Sequence, residues 1–582
     1  MHLLAVFAVS ALLVRAEYFE SLVLKPLPRN KALASFLFDS VLPAFPLVYA
    51  NTSADEPHAS SPRHYQTFPK SIVPIFAASN TRQLQLRFNQ GWWDTESWGK
   101  LPHDGKHSGG TGMELAAVIE ASSLDEARAS WVRLALSLSG FFCALLNFVD
   151  DSLTTFPRHD ISDIGDDYVT SANHSLFLMR AALPEEPVCT ENLTPFLKLL
   201  PTRGKAGIAS LLDGHKFYDS LWHSMSIEMA TECVENQCRL HLYQNIDHII
   251  DISRLLRRVR MDNFLKPTPS DELRCDLSKK YDDWTCFPLT DQIELEWDFQ
   301  TIFGRSIKGA CFQDDISASL LRFDVDRAAW SVELESSEGD QKHVSNVSDT
   351  EQLHGTADYN VRFRTSDSRR VLPVEKPPIE VSRSLTGYSQ DKGGMRVNIR
   401  NPGPVTPVTV NYFETLPWFM RTYLYTLQTL GDGRIVSQFY KPAIDRKRPG
   451  HLELQIEIQP GSDFTFTFLF DKSLLLYAEY PPDANHGFAI APAIVKVLDA
   501  AKQTTYQLRT TTLLLMLPTP DFSMPYNVII LTCTVMALAF GTIFNLLTKK
   551  VVTEEEFESA AKDTQFAQLK ARVTSKLLAL RR

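Results

Sequence analysis

The chain has 582 residues, 44% of them hydrophobic and 22% charged, with a formal charge of −10. That length calls for more than one folding unit, and that composition for ordinary packed cores. The acidic balance excludes a nucleic-acid partner held through a broad basic surface, because phosphate recognition needs concentrated Lys and Arg.

Residues 1–16 read as a signal peptide, apolar from Leu3 to Val14 and ending on Ala16. Residues 17–311 are expected to form a mixed α/β domain. In it Leu84, Leu86 and Phe88 alternate with Gln85 and Arg87, the period of a strand with one face buried and one in water. The glycine-rich run Ser108–Gly112 lacks the flanking strand, helix and lysine of a phosphate cradle and reads as a loop. Ser123 is placed to cap a helix, with Asp125 and Glu126 in its first turn and an apolar stripe of Ala127, Trp131, Leu134, Leu138, Phe141, Phe142 and Leu145. Further helices are predicted around 206–212 and 246–259.

Residues 312–525 are expected to form a β-sandwich, interrupted by a polar loop over 335–367. A hairpin is predicted where Leu452, Leu454, Ile456 and Ile458 alternate with polar residues. There Pro460-Gly461-Ser462-Asp463 turns the chain into Phe464, Phe466, Phe468 and Phe470. The fold class is α+β to mainly β: an antiparallel sheet and sandwich body, with a mixed α/β N-terminal part.

Residues 526–547 are predicted to cross a membrane. Val528–Leu547 carries no charge and as a helix is about 30 Å long, the thickness of a bilayer's hydrocarbon core. Lys549 and Lys550 follow, which puts residues 548–582 in the cytosol and the bulk of the chain in the lumen. The tail's apolar positions Phe566, Leu569, Val573, Leu577 and Leu580 suit a helix lying on a membrane or a solvated one equally. Sequons at Asn51, Asn173, Asn192 and Asn346 agree with a lumenal body, with Pro195 counting against the third. Before the membrane helix, Pro518, Pro520 and Pro525 hold the chain extended. Asp521, Ser523 and Asn527 then sit at headgroup depth, suited to a lipid headgroup or simply to capping the helix.

Of the eight cysteines only Cys533 is within the span, so seven face an oxidising compartment and at least one finds no partner in its own chain. Cys233 with Cys238 and Cys275 with Cys286 are near enough in sequence to pair. Cys143 lies among Phe141, Phe142, Leu145 and Leu146 and is expected to be buried. Cys189 lies in a polar, Pro-containing stretch and is the best candidate for a bond to another chain, with Cys311 the competing internal partner.

Motifs for catalysis are scarce. There is no HExxH pair, no GxSxG elbow and no P-loop; Asp160, Asp163, Asp166 and Asp167 match no calcium loop. No catalytic residues, metal or cofactor are expected.

Several strings carry a resemblance over nearly the whole chain: Asn89-Gln-Gly-Trp-Trp, Ser139-Gly-Phe-Phe-Cys-Ala-Leu-Leu-Asn-Phe, Val188-Cys-Thr-Glu-Asn-Leu-Thr-Pro, Leu416-Pro-Trp-Phe-Met-Arg, Pro482-Asp-Ala-Asn-His-Gly-Phe and Leu517-Pro-Thr-Pro-Asp-Phe-Ser-Met-Pro-Tyr-Asn. With these the sequence resembles the PIG-T family, subunits of the glycosylphosphatidylinositol (GPI) transamidase. The resemblance implies a non-catalytic scaffold in the endoplasmic-reticulum membrane. Its partners would be the caspase-like catalytic subunit PIG-K, a metallopeptidase-like GPI-attachment subunit, PIG-S and PIG-U, acting on a GPI lipid and a proprotein. It implies that Cys189 is the link to PIG-K and that Asp521, Ser523, Asn527 and Asn485 lie near the lipid. The 335–367 excursion has no match in the resemblance. The alternative, an independent single-pass cell-surface binding or adhesion glycoprotein, fits composition and topology equally.

Overall fold

The computed structural model describes residues 18–42, 67–158, 173–234, 237–260, 296–311, 317–338, 341–347, 349–387, 389–480, 486–519, 521, 523–549 and 552–579. The signal peptide, Asn51, the Asp160–Asp167 cluster, Cys275, Cys286 and Asn485 lie outside these. The chain divides into two compact units, one ending at Pro518 and one running from Thr519 to Arg582.

The first unit opens with β1 (Tyr18–Leu27), β2 (Lys31–Leu42), β3 (Thr81–Gly91), β4 (Gly112–Ala121), β5 (Ser175–Leu183), β6 (Trp222–Val234) and β7 (Gln237–Asp251). After these come β8 (Glu296–Asp298), β9 (Ile307–Lys308), β10 (Ser317–Phe323), β11 (Trp330–Glu338), β12 (Gln341–Asn346), β13 (Thr350–Gln352) and β14 (Asp358–Thr365). A nine-stranded sheet runs β13-β10-β1-β2-β7-β6-β3-β4-β5, antiparallel except where β10 lies parallel to β1. Two helices pack on one face, α1 (Leu124–Phe142) and α2 (Thr190–Leu199). As predicted, Ser123 caps α1, its hydroxyl accepting the Glu126 N–H at 3.3 Å while Glu126 accepts the Ser122 N–H at 2.9 Å. The buried stripe Trp131, Leu134, Leu138 and Phe142 meets Leu84, Leu86 and Phe88 of β3 in one core, with Phe142 and Phe88 at 6.1 Å between ring centroids.

Four expectations are corrected. Residues 246–251 belong to β7; the helix begins only at Ile252, as α3 (Ile252–Arg260), and residues 208–211 form a single 3₁₀ turn. Apolar residues next to a helical stretch carry no label saying which period they serve, and pairing with β2 and β6 decided it. Most of the described residues in the polar loop expected over 335–367 are sheet: β11 pairs with β12 and β14. The domain boundary expected at 311 does not divide the sheets, since β10 and β13 complete the first sheet and the first core runs on to Phe363. The second core is built mainly from Ile379 onward, joined by Leu27, Leu101, Trp222 and Ile249.

That second core lies between two sheets. The strands are β15 (Glu380–Thr386), β16 (Lys392–Arg400), β17 (Val408–Leu416), β18 (Met420–Gly431), β19 (Gly433–Lys441), β20 (Gly450–Ile458) and β21 (Asp463–Lys472), then β22 (Phe488–Ile490), β23 (Ile494–Leu498), β24 (Thr504–Arg509) and β25 (Leu513–Leu515). One sheet runs β15-β16-β21-β18 and the other β19-β20-β17-β23-β24. The predicted hairpin is therefore not a hairpin: β20 and β21 are consecutive but sit in opposite sheets, and the turn at Pro460–Asp463 carries the chain across the sandwich. Their alternating apolar residues, Leu452 to Ile458 and Phe464 to Phe470, face each other through a shared core. Alternation fixes which side of a strand is apolar and leaves open which strand it bonds to.

The second unit holds α4 (Ser523–Thr548), at 26 residues long enough to span a bilayer, with mean hydropathy 2.1 and no part of it buried. Thr532, Thr534, Thr542 and Thr548 each donate their hydroxyl to the carbonyl four residues back, at 2.7 to 2.8 Å, so these polar groups are satisfied within the helix. The tail forms two further helices, Glu554–Asp563 and Gln565–Ala579.

Candidate functional site

Cys189 stands at the N-cap of α2, half-buried, with its sulfur unbonded. Its position is fixed from three sides. Asn192, three residues on, accepts the Cys189 N–H on Oδ1 at 2.9 Å, the usual spacing for a side chain closing the first turn of a helix. The same amide donates through Nδ2 to the carbonyl of Phe142, the last residue of α1, at 3.0 Å. Tyr218 donates its hydroxyl to the Cys189 carbonyl; burial, with Cys189 second, raises the phenol above its ordinary range, so it stays a donor. One buried asparagine thus ties the start of α2 to the end of α1.

This arrangement brings Cys143 to the same place. α1 ends at Phe142, and Cys143 takes a left-handed conformation, φ 55°, that turns it out of the helix. The buried thiol expected from its apolar neighbours is thus an exposed one. Its S–H lies 3.4 Å from the Glu191 carboxylate, which pushes the thiol up from its ordinary range; Cys189 adds to the same push. Cys311, the alternative internal partner of Cys189, is buried elsewhere, its N–H against the Ser319 hydroxyl at 3.3 Å and its thiol raised by burial.

The other expected residues fall in separate places. Cys233 and Cys238 are directly opposite in the β6–β7 register. Asn173 and Asn346 are exposed, on a turn and at the end of β12. Asn192 is corrected: it is 1% exposed, and the Nδ2 that would carry a glycan is the atom bonded to Phe142. Asp521, Ser523 and Asn527 are exposed at the start of α4, where Asp521 accepts the Ser523 N–H at 2.9 Å and so acts on the first turn of the helix. Among the described residues no group of three or more His, Cys, Asp or Glu is placed to hold a metal ion.

Two features escaped the sequence reading. Glu191, Asn192 and Tyr218 surround the thiol; only the spacing of Asn192 behind a possible N-cap hinted at it. The second is that the outward-pointing residues of the nine-stranded sheet are buried. Arg87 bonds Glu228 at 2.7 Å and the Lys106 carbonyl at 2.7 Å, and Glu114 lies 3.3 Å from both Arg180 and Arg509. Arg509 belongs to β24 of the sandwich, so charge pairs join the two halves of the first unit. Burial opposes the charge on Glu114 and Glu228, but the surrounding cations prevail and hold both carboxyls down at about 2. The glycine-rich run finds its reason here: a Cβ at Gly110 would come within 2.6 Å of Pro492, and just ahead of the run one at Gly105 would strike the Gln507 carbonyl. These glycines let the sandwich approach closely.

Residues 2–574 match the family described as Gpi16 subunit, GPI transamidase component. The chain belongs to the Gpi16/PIG-T family of GPI transamidase components. It is similar to the GPI transamidase component GPI16 of Saccharomyces cerevisiae, 45% identical over 555 residues, which cover 93% of this chain and 89% of the relative. It is also similar to the PIG-T homolog of Schizosaccharomyces pombe, 34% identical over 98% of this chain and 96% of that one, and to human PIGT, 30% identical over 92% and 91%. Membership in the Gpi16/PIG-T family makes this chain one component of a multi-subunit transamidase and sets aside the independent adhesion glycoprotein.

Proposed function

We propose that this chain is the non-catalytic scaffold of a GPI transamidase in the endoplasmic-reticulum membrane, holding a caspase-like catalytic subunit of the PIG-K kind by a disulfide from Cys189. The observation that carries this reading is the thiol itself: an unbonded sulfur, half-buried at a helix N-cap, whose backbone is clamped by Asn192 and Tyr218. A covalent link makes docking intramolecular and keeps the partner at high effective concentration. The partner's cysteine thiolate attacks the proprotein carbonyl and releases the C-terminal signal; the amine of the GPI lipid then attacks the acyl-enzyme, restoring the thiolate. This chain supplies position instead of reactive groups, and orientation of the scissile bond against the lipid amine lowers that barrier.

In this reading the signal peptide is removed, the first unit is lumenal and α4 spans the bilayer. Asp521, Ser523 and Asn527, with Asn485, lie toward the lipid. A metallopeptidase-like GPI-attachment subunit, PIG-S and PIG-U complete the assembly, and Asn51, Asn173 and Asn346 are the glycan sites. Non-reducing electrophoresis of the membrane complex tests the central claim. The chain should migrate as a heterodimer with the catalytic subunit, and Cys189→Ser should abolish that band. A heterodimer that persists in the variant rejects Cys189 as the link.

A further inference from the structure

α1 buries one side and leaves another bare. Ala127, Trp131, Leu134, Leu138 and Phe142 face the sheet. Val132, Leu136 and Gly140 follow one another at intervals of four, which keeps them on a single strip of the helix surface, and Cys143 stands just past its end. Leu136 is 53% exposed, and a Cβ built at Gly140 meets nothing within 4 Å. Just beyond, Leu145 and Phe148 extend the strip; Phe148 is 62% exposed, and the Leu145 backbone is held by its N–H to Glu186 at 3.0 Å. Single exposed apolar residues need no explanation, but a continuous strip ending beside two thiols does.

From this surface we infer a second, non-covalent contact with the chain that bonds Cys189: the strip Val132–Leu136–Gly140, continued by Leu145 and Phe148, seats an apolar segment of that partner. The inference rests on the reading of Cys189 as the interchain link. Three observations point to one occupant. The strip runs into the thiol site, since Asn192 bridges the end of α1 to Cys189. The opening at Gly140 admits close approach of a backbone. The flank toward Cys189 is acidic, with Glu191 exposed beside Cys143, which suits Lys or Arg next to the partner's apolar residues. Seating the strip first would place the partner's sulfur at Cys189, while Cys143, kept protonated by Glu191, is a poor competing nucleophile.

The test uses the full complex in mild detergent and a Cys189→Ser background, so that only non-covalent contacts hold the chains. Leu136→Glu with Phe148→Glu should lower recovery of the catalytic subunit about tenfold (roughly 1.4 kcal/mol) relative to Cys189→Ser alone. Leu430→Glu, at an exposed leucine on β18, should change nothing. Gly140→Leu adds a side chain where a Cβ meets nothing within 4 Å, so it guards against misfolding as the cause and should weaken recovery as well. Unchanged recovery in both the double variant and Gly140→Leu overturns the inference. So does self-association of the wild-type chain through this strip, or loss of vesicle binding with the partner retained. If the heterodimer survives Cys189→Ser on a non-reducing gel, the covalent reading fails instead, and recovery with the double variant still reports on the strip.

Discussion

The two faces of the nine-stranded sheet are built by the same strands and buried by opposite means. On one, Leu84, Leu86 and Phe88 meet the apolar stripe of α1. On the other, Leu27, Trp222 and Ile249 join the core of the sandwich, but Arg87, Glu114, Glu228 and Arg180 are covered by it and compensated by charge. The apolar face stabilises through area removed from water, and each side chain contributes nearly by itself. The charged face is conditional: its groups cost desolvation free energy and are tolerated only while every partner is in place. The first face tolerates substitution by degrees; the second holds or fails as a set.

The strongest way to break this contrast is Glu114→Ala. It leaves Arg180 and Arg509 buried without their carboxylate, and stability should fall by about 3–5 kcal/mol, read as the thermal midpoint of the detergent-solubilised chain. A fall under about 1 kcal/mol would falsify the description of that face as conditional. Leu138→Ala on the apolar face should cost somewhat less, about 3 kcal/mol, as a truncated core leucine does.

Acid separates the two faces. His223 and His248 pack around Phe217 on the apolar side, with ring centroids 4.7 and 5.6 Å away, and burial lowers them to about 4 and about 3. Their folded values lie below the unfolded one, so their contribution is complete above about pH 6.5 and is lost as pH falls through the folded values. By pH 5 each should have cost of order 2 kcal/mol. Glu114 and Glu228, held down at about 2, keep their contribution above the unfolded carboxyl value and lose it only as pH falls from about 4.5 toward 2. Stability against pH should therefore fall in two stages. His223→Phe with His248→Phe should flatten the upper stage alone; an upper stage that survives the pair assigns it to other groups. The smallest effect belongs to the cap of α1: Ser123→Ala should cost about 1 kcal/mol by the same thermal measurement, without altering the acid profile.

The sequence reading locates the cap at Ser123, the long apolar C-terminal helix to within three residues of its start and the mainly β architecture. It misjudged Cys143 because the apolar residues around a helix end say nothing about which way the next residue turns. It took Arg87 for a water-facing residue because a strand's polar side looks alike under solvent and under a second domain. It paired β20 with β21 because neighbours joined by a tight turn usually bond, although here they cross between sheets.

What the sequence determined by itself are the properties carried by local spacing: the apolar period of each element, the uncharged span of α4 and the cap of α1. These depend on side chains a few residues apart, whose relative placement the backbone geometry already sets. Only the tertiary structure decided which strands bond, which polar face is dry and which thiols stand together. Those outcomes depend on contacts between residues hundreds of positions apart, such as Glu114 with Arg509, and on the loss of water around them.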